Sequence, residues 1–282
     1  MSYIKLKFDT NQLGLPEPVI RLYPLACLHV GAQQSDYKFI MEHIKRIYED
    51  PCARWIYMGD GGECATIGSK GDTYSQLLNP QLQVEMLCDL LNPVKDKGLF
   101  GVRGNHGNRI YKVSGLSFDH NLCSRLGIPY MGSACFANFS VNRSTYDGYF
   151  HHGISSGISH RSKIAKAEEF GKFINADFIC TAHSHVAVEL HAAALLSCDN
   201  KTEEVKTKLR KQYICGSAYD SRTGYAEDKG YPPILPAMIH IELGGDRHDG
   251  KKTLSYKKYE SDGQHKLEHP YLEEYLTKDE VE

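Results

Sequence analysis

Three absences in this 282-residue sequence exclude whole classes of protein. No stretch of about 18 apolar residues occurs, which is the length that a membrane-spanning helix needs. No Cys-x-x-Cys pair occurs among the nine cysteines, and their odd number argues against a disulfide framework. Positive charge is not in excess either, since 33 Lys and Arg stand against 35 Asp and Glu. An extensively basic coat for nucleic acid is therefore excluded, although a local basic groove is not.

The cysteine pattern and the N-terminal residues indicate a cellular compartment. Scattered free thiols are typical of a reducing environment. Residues 1–6 lack the apolar centre of a signal peptide. We therefore expect a cytoplasmic protein that does not insert into a membrane.

Hydrophobic patterning predicts an α/β fold. Apolar runs alternate with helical patterns over the first two thirds of the chain, and a β-rich part follows residue 130. The spacing predicts a buried strand over 19–30 and, after it, a helix capped by Ser35. The run Gly244-Gly245-Asp246 is interpreted as a turn between the last two strands.

The chain is expected to form one domain. Its length of 282 residues fits one large domain or two small ones, but no Pro/Ser-rich linker, internal repeat or low-complexity tract divides it. We predict a single domain over 1–282, with its core at about 19–260 and a polar tail at 261–282.

Five segments share one layout, in which a short apolar strand ends in a polar cluster. The clusters are Cys27-Leu28-His29, Gly59-Asp60-Gly61-Gly62-Glu63, Gly104-Asn105-His106, His152-Gly153 and His183-Ser184-His185. Ligands of open α/β sheets collect at the carboxyl ends of strands, so these clusters are expected to meet. Residues two apart on an extended chain point the same way, so Cys27 and His29 are expected to face one ion. His183 and His185 are expected to face one ion for the same reason.

The order of these clusters resembles that of the calcineurin-like metallophosphoesterases. The blocks of that family run Asp-x-His, Gly-Asp-x-x-Asp/Glu, Gly-Asn-His-Asp/Glu, His-Gly and Gly-His-x-His. Within it, the segments 104–110 and 224–230, together with His152-Gly153, resemble the phage and bacterial branch. The resemblance spans about residues 20–243 and implies an αββα sandwich. Two mixed sheets would stack face to face, with helices outside and the metal site along one edge.

The resemblance implies two divalent metal ions, with Mn, Zn, Fe and Ni as candidates. The first site would take one Cys, two His and one Asp, namely Cys27, His29, His185 and Asp60. The second site would take the same Asp, one Asn and two His, namely Asp60, Asn105, His152 and His183. Asp60 would therefore bridge the two ions, with one carboxylate oxygen on each.

The resemblance also implies which residues act on the substrate. His106 would not bind metal and would protonate the leaving oxygen or stabilise the phosphoryl charge. Arg109 would contact the phosphate with its two-pronged guanidinium, or else form a structural ion pair. Glu63 would support the site from behind the ligands. No side-chain nucleophile is implied.

Three residues depart from the family's pattern. Cys27 replaces an aspartate; its thiolate would keep the negative charge and would favour Zn²⁺ or Fe over Mg²⁺ or Ca²⁺. The alternative is an inert buried thiol beside a weakened first site. Gly107 replaces an acidic residue, so the orientation of His106 must come from elsewhere. Ala182 replaces a glycine, and we expect this change to be harmless.

The implied activity is metal-dependent phosphoester hydrolysis, of the phosphodiesterase or nuclease type first. The formal net charge of −2 argues against extensive duplex binding, so a nucleotide or a short or single-stranded nucleic acid is favoured as substrate. A phosphomonoesterase and a metal-binding module with little turnover are open alternatives. Tyr219, Tyr225 and Lys229 either line the substrate cleft or serve only the fold.

Overall fold

The computed structural model describes residues 1–67, 69, 73–154, 159–199, 201–248 and 251–263. The predicted polar tail lies outside the described residues from 264 onward. The strands and α-helices of the described part are β1 (Ser2–Phe8), β2 (Val19–Leu25), α1 (Tyr37–Glu49), β3 (Ala53–Tyr57), α2 (Pro80–Leu91), β4 (Gly98–Gly101), α3 (Gly107–Ser114), α4 (Phe118–Leu126), β5 (Ala134–Val141), β6 (Ser144–His151), α5 (His160–Gly171), β7 (Phe178–Thr181), β8 (Ala187–Asp199), β9 (Glu204–Ser217), α6 (Tyr225–Asp228), β10 (Ala237–His248) and β11 (Lys251–Glu260). Short 3-10 helices, Thr73–Ser75 and Asn92–Lys97, precede α2 and β4.

The strands form one curled mixed sheet with two layers. The first layer has the order β1-β5-β6-β7-β9, with β8 against β9. The second layer has the order β10-β2-β3-β4, with β11 against β10. Strand β9 joins the layers because Gly216 and Ser217 pair with the start of β10. Strands β2, β3 and β4 are parallel, as are β6, β7 and β9, so each layer presents several carboxyl ends at one edge.

Two apolar cores hold the layers and helices together. Between the layers, fully buried side chains of the second layer such as Leu22 and Ile56 meet Phe139, Phe150 and Phe178 of the first. On the outer face of the second layer, alternate residues of β2 and β3 pack against α1, α2 and α4. Helix α5 lies outside the first layer, where β9 side chains bond its backbone. The predicted αββα arrangement is confirmed.

Helix α1 shows how the local sequence sets an element boundary. The Asp36 side chain, not that of Ser35, caps the helix and accepts the Phe39 N–H at 2.9 Å. Ser35 Oγ instead donates to the Leu28 carbonyl at 2.8 Å, so the predicted cap is wrong by one residue. The apolar stripe of α1 faces the second layer, as its helical spacing predicts.

Two boundaries differ from prediction. The strand predicted over 19–30 ends at Leu25, since the residues after it leave the extended conformation. The predicted turn Gly244-Gly245-Asp246 is wrong, because β10 continues through it with a register irregularity between Leu243 and Arg247. Tertiary contact keeps these glycines in the strand, since the Gly245 N–H donates to Pro18 O at 2.6 Å. Strand β1 and helix α3 were not predicted. None of the described helices is long and apolar enough to cross a membrane, and all nine cysteines are free thiols.

Candidate metal centre

The polar clusters converge at the edge where the carboxyl ends of the strands meet. Residues after β2, β3 and β4 come from the second layer, and residues after β6 and β7 come from the first. The described residues form three groups in which the potential ligand atoms all lie within 4.8 Å of one another. The groups are Cys27, His29 and His185; Cys27, Asp60 and His152; and His29, Asp60 and His106. The predicted meeting of the clusters is therefore present in the fold.

The backbone at this edge is left-handed rather than extended. Among the described residues, eight other than glycine have a positive φ, and five of them are predicted ligands. These are Cys27 (50°), His29 (51°), Asp60 (55°), His183 (64°) and His185 (58°). These residues therefore do not have the extended backbone that the sequence predicts, although their side chains do meet. Strained backbone of this kind gathers at functional sites when the surrounding fold holds it in place.

Three electron-rich atoms face one another around Asp60. His152 Nδ1 lies 2.7 Å from the Met58 carbonyl, which can only accept, so Nδ1 carries the proton. In a neutral ring the lone pair of Nε2 then points at Asn105 Oδ1 (3.0 Å) and Asp60 Oδ2 (2.9 Å). Asp60 Oδ2 is buried, and within the described residues it faces these atoms rather than a fixed N–H donor. Such a set is repulsive unless it takes up a cation. Burial works to lower the pKa of His152, but Asp60 outweighs it and raises the pKa, so without a metal ion a proton on His152 Nε2 offsets the repulsion.

A second pair of ring nitrogens, those of His29 and His185, faces the site beside it. His29 Nδ1 donates to Glu63 Oε2 at 2.9 Å, which leaves the lone pair of His29 Nε2 facing His185 Nε2 at 3.0 Å. Burial, together with neighbouring imidazoles, lowers the pKa of both His29 and His185, so both rings are neutral. A carboxylate behind a ligating imidazole is a common support of metal sites.

Cys27 lies between these two sets of atoms. It is completely buried, and its thiol belongs to one group with His29 and to another with Asp60. Burial raises the pKa of the Cys27 thiol well above its ordinary value. The thiol is therefore neutral without a metal, and a bound cation would have to displace its proton.

The Asp60 carboxylate is held ionised inside the protein. Burial works to raise its pKa, but His152 and His106 outweigh this and hold the pKa well below its usual range. Its Oδ1 accepts the His106 N–H at 2.8 Å. The missing side chain at Gly104 leaves room for the Asp60 carboxylate, since a Cβ there would lie 2.2 Å from Asp60 Oδ1.

His106, Glu63 and Arg109 form a hydrogen-bonded group beside Asp60. His106 Nδ1 donates to the Glu63 carbonyl at 2.7 Å, and Arg109 Nη2 lies 2.9 Å from His106 Nε2. Arg109 Nη1 is 3.5 Å from Glu63 Oε1. Burial works to lower the pKa of His106, but Asp60 and Glu63 outweigh it and raise the pKa. This group orients His106 without the acidic residue that the sequence lacks at 107.

The remaining predicted residues are placed as follows. His183 Nδ1 lies 4.0 Å from Asp60 Oδ2, and this buried nitrogen has no hydrogen-bond partner in the described part of the chain. The Tyr219 ring packs edge-on against His29, with 5.2 Å between ring centroids. Lys229 is exposed, and the Tyr225 side chain lies outside the described residues. Ala182 fits in the strand end, where its N–H donates to the His152 carbonyl at 2.8 Å.

The donor set fits a divalent cation. Neutral imidazoles, an amide oxygen, an ionised carboxylate and a displaceable thiol are ligands of Zn²⁺ and of other first-row metals. Within the described residues, Asp60 Oδ2 and His183 Nδ1 have no fixed hydrogen-bond donor or acceptor, and a cation bound here would satisfy both atoms. Sequence reasoning missed Tyr57 and Asp119, which lie behind this site; their contacts are tertiary and leave no motif in the sequence.

Some solved structures are similar to this chain, at low sequence identity. No protein-family model matches the chain, and no curated protein matches it. Among solved structures, Vps29 of Cryptosporidium parvum is 15% identical with a TM-score of 0.40, covering 86% of this chain and 99% of its own. A predicted phosphoesterase of Streptococcus pneumoniae is 10% identical with a TM-score of 0.35, covering 86% and 98%. Nuclease MPE of Pseudomonas putida is 12% identical with a TM-score of 0.33, covering 83% and 86%.

Proposed function

We propose that this chain is a metal-dependent phosphoester hydrolase of the phosphodiesterase or nuclease type, with a dinuclear metal centre. The observation that carries the proposal is the convergence of the His152 and His183 ring nitrogens and the Cys27 thiol on the buried Asp60 Oδ2. Burying so many titratable groups together is costly, and a bound cation would offset that cost. The motif order around residues 104–110 supports a place beside phage and bacterial metallophosphoesterases, and the free thiols support a reducing cytoplasm.

The ligands divide into two overlapping sets. Cys27, His29 and His185 would hold one ion and share Asp60 with the other. The second ion would take Asp60 together with Asn105, His152 and His183. When bound, two such ions would supply Lewis acidity and lower the pKa of a bound water molecule. Ligation by the Cys27 thiolate would favour Zn²⁺ or Fe, whereas the imidazoles would accept Mn²⁺ and Ni²⁺ as well.

His106 is the residue that would give a proton to the leaving oxygen. Its Nδ1 donates a hydrogen bond to the Glu63 carbonyl, and its Nε2 faces the site at 3.9 Å from Asp60 Oδ2. The raised pKa of His106 keeps the imidazolium populated nearer to neutral pH. A proton on Nε2 repels the Arg109 N–H beside it. We therefore infer that Arg109 turns from His106 to the phosphate when the substrate binds.

The charge at the site supports a diester rather than a monoester. The Glu63 carboxylate offsets the Arg109 guanidinium beside it, so these two side chains add little positive charge to that of the bound ions. The absence of a further unpaired cationic side chain among the predicted site residues supports a substrate with one negative charge, as in a diester. The overall charge of −2 supports a nucleotide or a short or single-stranded nucleic acid as the substrate.

Hydrolysis of bis-(p-nitrophenyl) phosphate and of p-nitrophenyl phosphate, each with added Mn²⁺, Zn²⁺ or Ni²⁺, tests the proposal. We expect faster turnover of the diester, loss of turnover with EDTA, and loss of turnover in Asp60→Asn. Asp177→Asn is the matched control, because Asp177 is a buried carboxylate that pairs with Lys252, away from this edge. Faster turnover of the monoester would assign a phosphomonoesterase. Metal binding without turnover of either ester or of an oligonucleotide would contradict an enzymatic role.

A further inference from the structure

Asp119 is a buried carboxyl group behind the candidate metal centre that the proposed reaction does not use. It stands in the first turn of α4 and is 1% exposed. Its Oδ1 accepts a hydrogen bond from the Tyr57 hydroxyl at 2.7 Å, whereas its Oδ2 has no hydrogen-bond partner among the residues that the structure describes. Burying a carboxyl group is costly, so a role that offsets the cost is required.

Asp119 occupies the space that a side chain at Gly107 would fill. A Cβ at Gly107 would lie 2.4 Å from Asp119 Oδ2 and 2.9 Å from its carboxyl carbon. Such a distance cannot be accommodated without movement of the carboxyl group. The glycine at 107 and the carboxyl group at 119 are therefore complementary: helix α4 brings an acidic group to the place where the local segment has none.

A hydrogen-bond chain connects Asp119 to the turn that carries Asp60. The Tyr57 hydroxyl donates to Asp119 and accepts the Gly61 N–H at 3.0 Å. Gly61 directly follows Asp60, and its carbonyl accepts the Val30 N–H at 2.7 Å. With its one proton given to Asp119, the Tyr57 oxygen has its lone pairs free for Gly61. The carboxyl group thus sets the direction of the tyrosine hydroxyl.

We propose that Asp119 is a positioning residue, which fixes the left-handed turn at Asp60 through Tyr57 and Gly61 and takes the space left open by Gly107. It contacts neither substrate nor metal. The turn matters because Asp60 is the shared ligand, so the importance of this residue for catalysis rests on the proposed function.

Amide hydrogen exchange of Gly61 in metal-free protein tests the positioning directly. Tyr57→Phe removes the hydroxyl from both bonds, and Asp119→Ala removes the group that orients it. We expect exchange at Gly61 to accelerate at least about tenfold in both variants. Tyr146→Phe is the matched control, because its buried hydroxyl contacts the Gly244 and Thr253 carbonyls on the far side of the molecule. Unchanged Gly61 exchange, or equal acceleration in the control, would overturn the proposal.

Calorimetric titration with Mn²⁺ then measures the consequence for the site. We expect the dissociation constant to rise about 10- to 100-fold in Asp119→Ala and much less in Asp119→Asn, which keeps an acceptor for the Tyr57 hydroxyl. Gly107→Asp alone should bind worst, and Gly107→Asp with Asp119→Ala should recover part of the affinity. If the loss of binding free energy in the double variant equals the sum of the losses in the two single variants, the proposal is overturned.

These measurements separate the two claims. Wild-type protein that binds Mn²⁺ but hydrolyses no phosphoester would refute the proposed function, while the Gly61 exchange would still decide the role of Asp119. Hydrolysis by the wild type together with unchanged exchange at Gly61 would refute only the positioning role.

Discussion

Metal binding should release one more proton when Cys27 is present than when it is absent. The thiol is completely buried, and burial raises its pKa well above the ordinary value, so near neutral pH it carries a proton. A metal ligand must be the thiolate. Ligation of Zn²⁺ by wild-type protein therefore expels that proton, whereas Cys27→Ala has none to expel at this position.

The size of the effect follows from the proton count. One proton released per ion makes the Zn²⁺ affinity increase about tenfold for each pH unit, or roughly 1.4 kcal/mol. His29 and His185 add little to this slope because the pKa of each is lowered and each is neutral beforehand. Other ligands add equally in both proteins, so the difference between wild type and Cys27→Ala isolates the thiol.

Isothermal calorimetry with Zn²⁺ in two buffers of different ionisation enthalpy counts these protons. Replacement of Zn²⁺ by Co²⁺ adds an independent signal, since a sulfur ligand gives a charge-transfer absorption that Cys27→Ala must lack. Equal proton counts in the two proteins, together with no such absorption, would refute ligation. Cys27 would then be an inert core thiol beside a weakened first site.

Three further outcomes are expected. Cys27→Asp should shift the preference of the site from Zn²⁺ toward Mn²⁺ or Mg²⁺, measured by competition titration; an unchanged preference would mean that the thiol never contacts an ion. His106→Asn should lower kcat by about 10²- to 10⁴-fold at unchanged metal content by elemental analysis, and loss of metal instead would show that His106 is a ligand. Burial raises the pKa of Asp119 to about 7, so the folded state keeps a proton that the unfolded chain loses above about pH 4. Without metal, the free energy of unfolding of the wild type should therefore fall relative to that of Asp119→Asn as pH rises from about 4 to about 7, by at most roughly 4 kcal/mol. Urea unfolding measures this difference, and an equal difference at about pH 4 and about pH 7 would contradict the prediction.

The convergence of the polar clusters could be predicted from the sequence because parallel strands bring their carboxyl ends to one edge. Asp60, Asn105 and His152 each follow an apolar run that predicts a strand, and this placement indicates that they meet. The conformation at this edge could not be predicted, because left-handed backbone at His29 or His185 has no signature in residue type. Tertiary contacts hold it, such as the bond from the His29 N–H to the Asp60 carbonyl at 3.1 Å.

Other differences have separate physical causes. Asp119 has no signal in the sequence, since its partners at 57 and 107 are distant or lack a side chain. Strand β1 did have a signal, since apolar and lysine residues alternate over residues 4–8. The structure shows the matching burial, with Phe8 buried and Tyr3 exposed, as expected for a half-covered strand. The local turn pattern at Gly244 was outweighed by pairing with neighbouring chain segments.

The left-handed residues at the strand ends have a consequence for how the protein evolves. Each costs roughly 1–2 kcal/mol relative to ordinary backbone, so the five together approach the whole net stability of a typical domain. A descendant that no longer used the site at this edge could replace these residues by glycine and gain stability against unfolding. Purifying selection, rather than foldability, is therefore what would keep imidazoles and a carboxylate there.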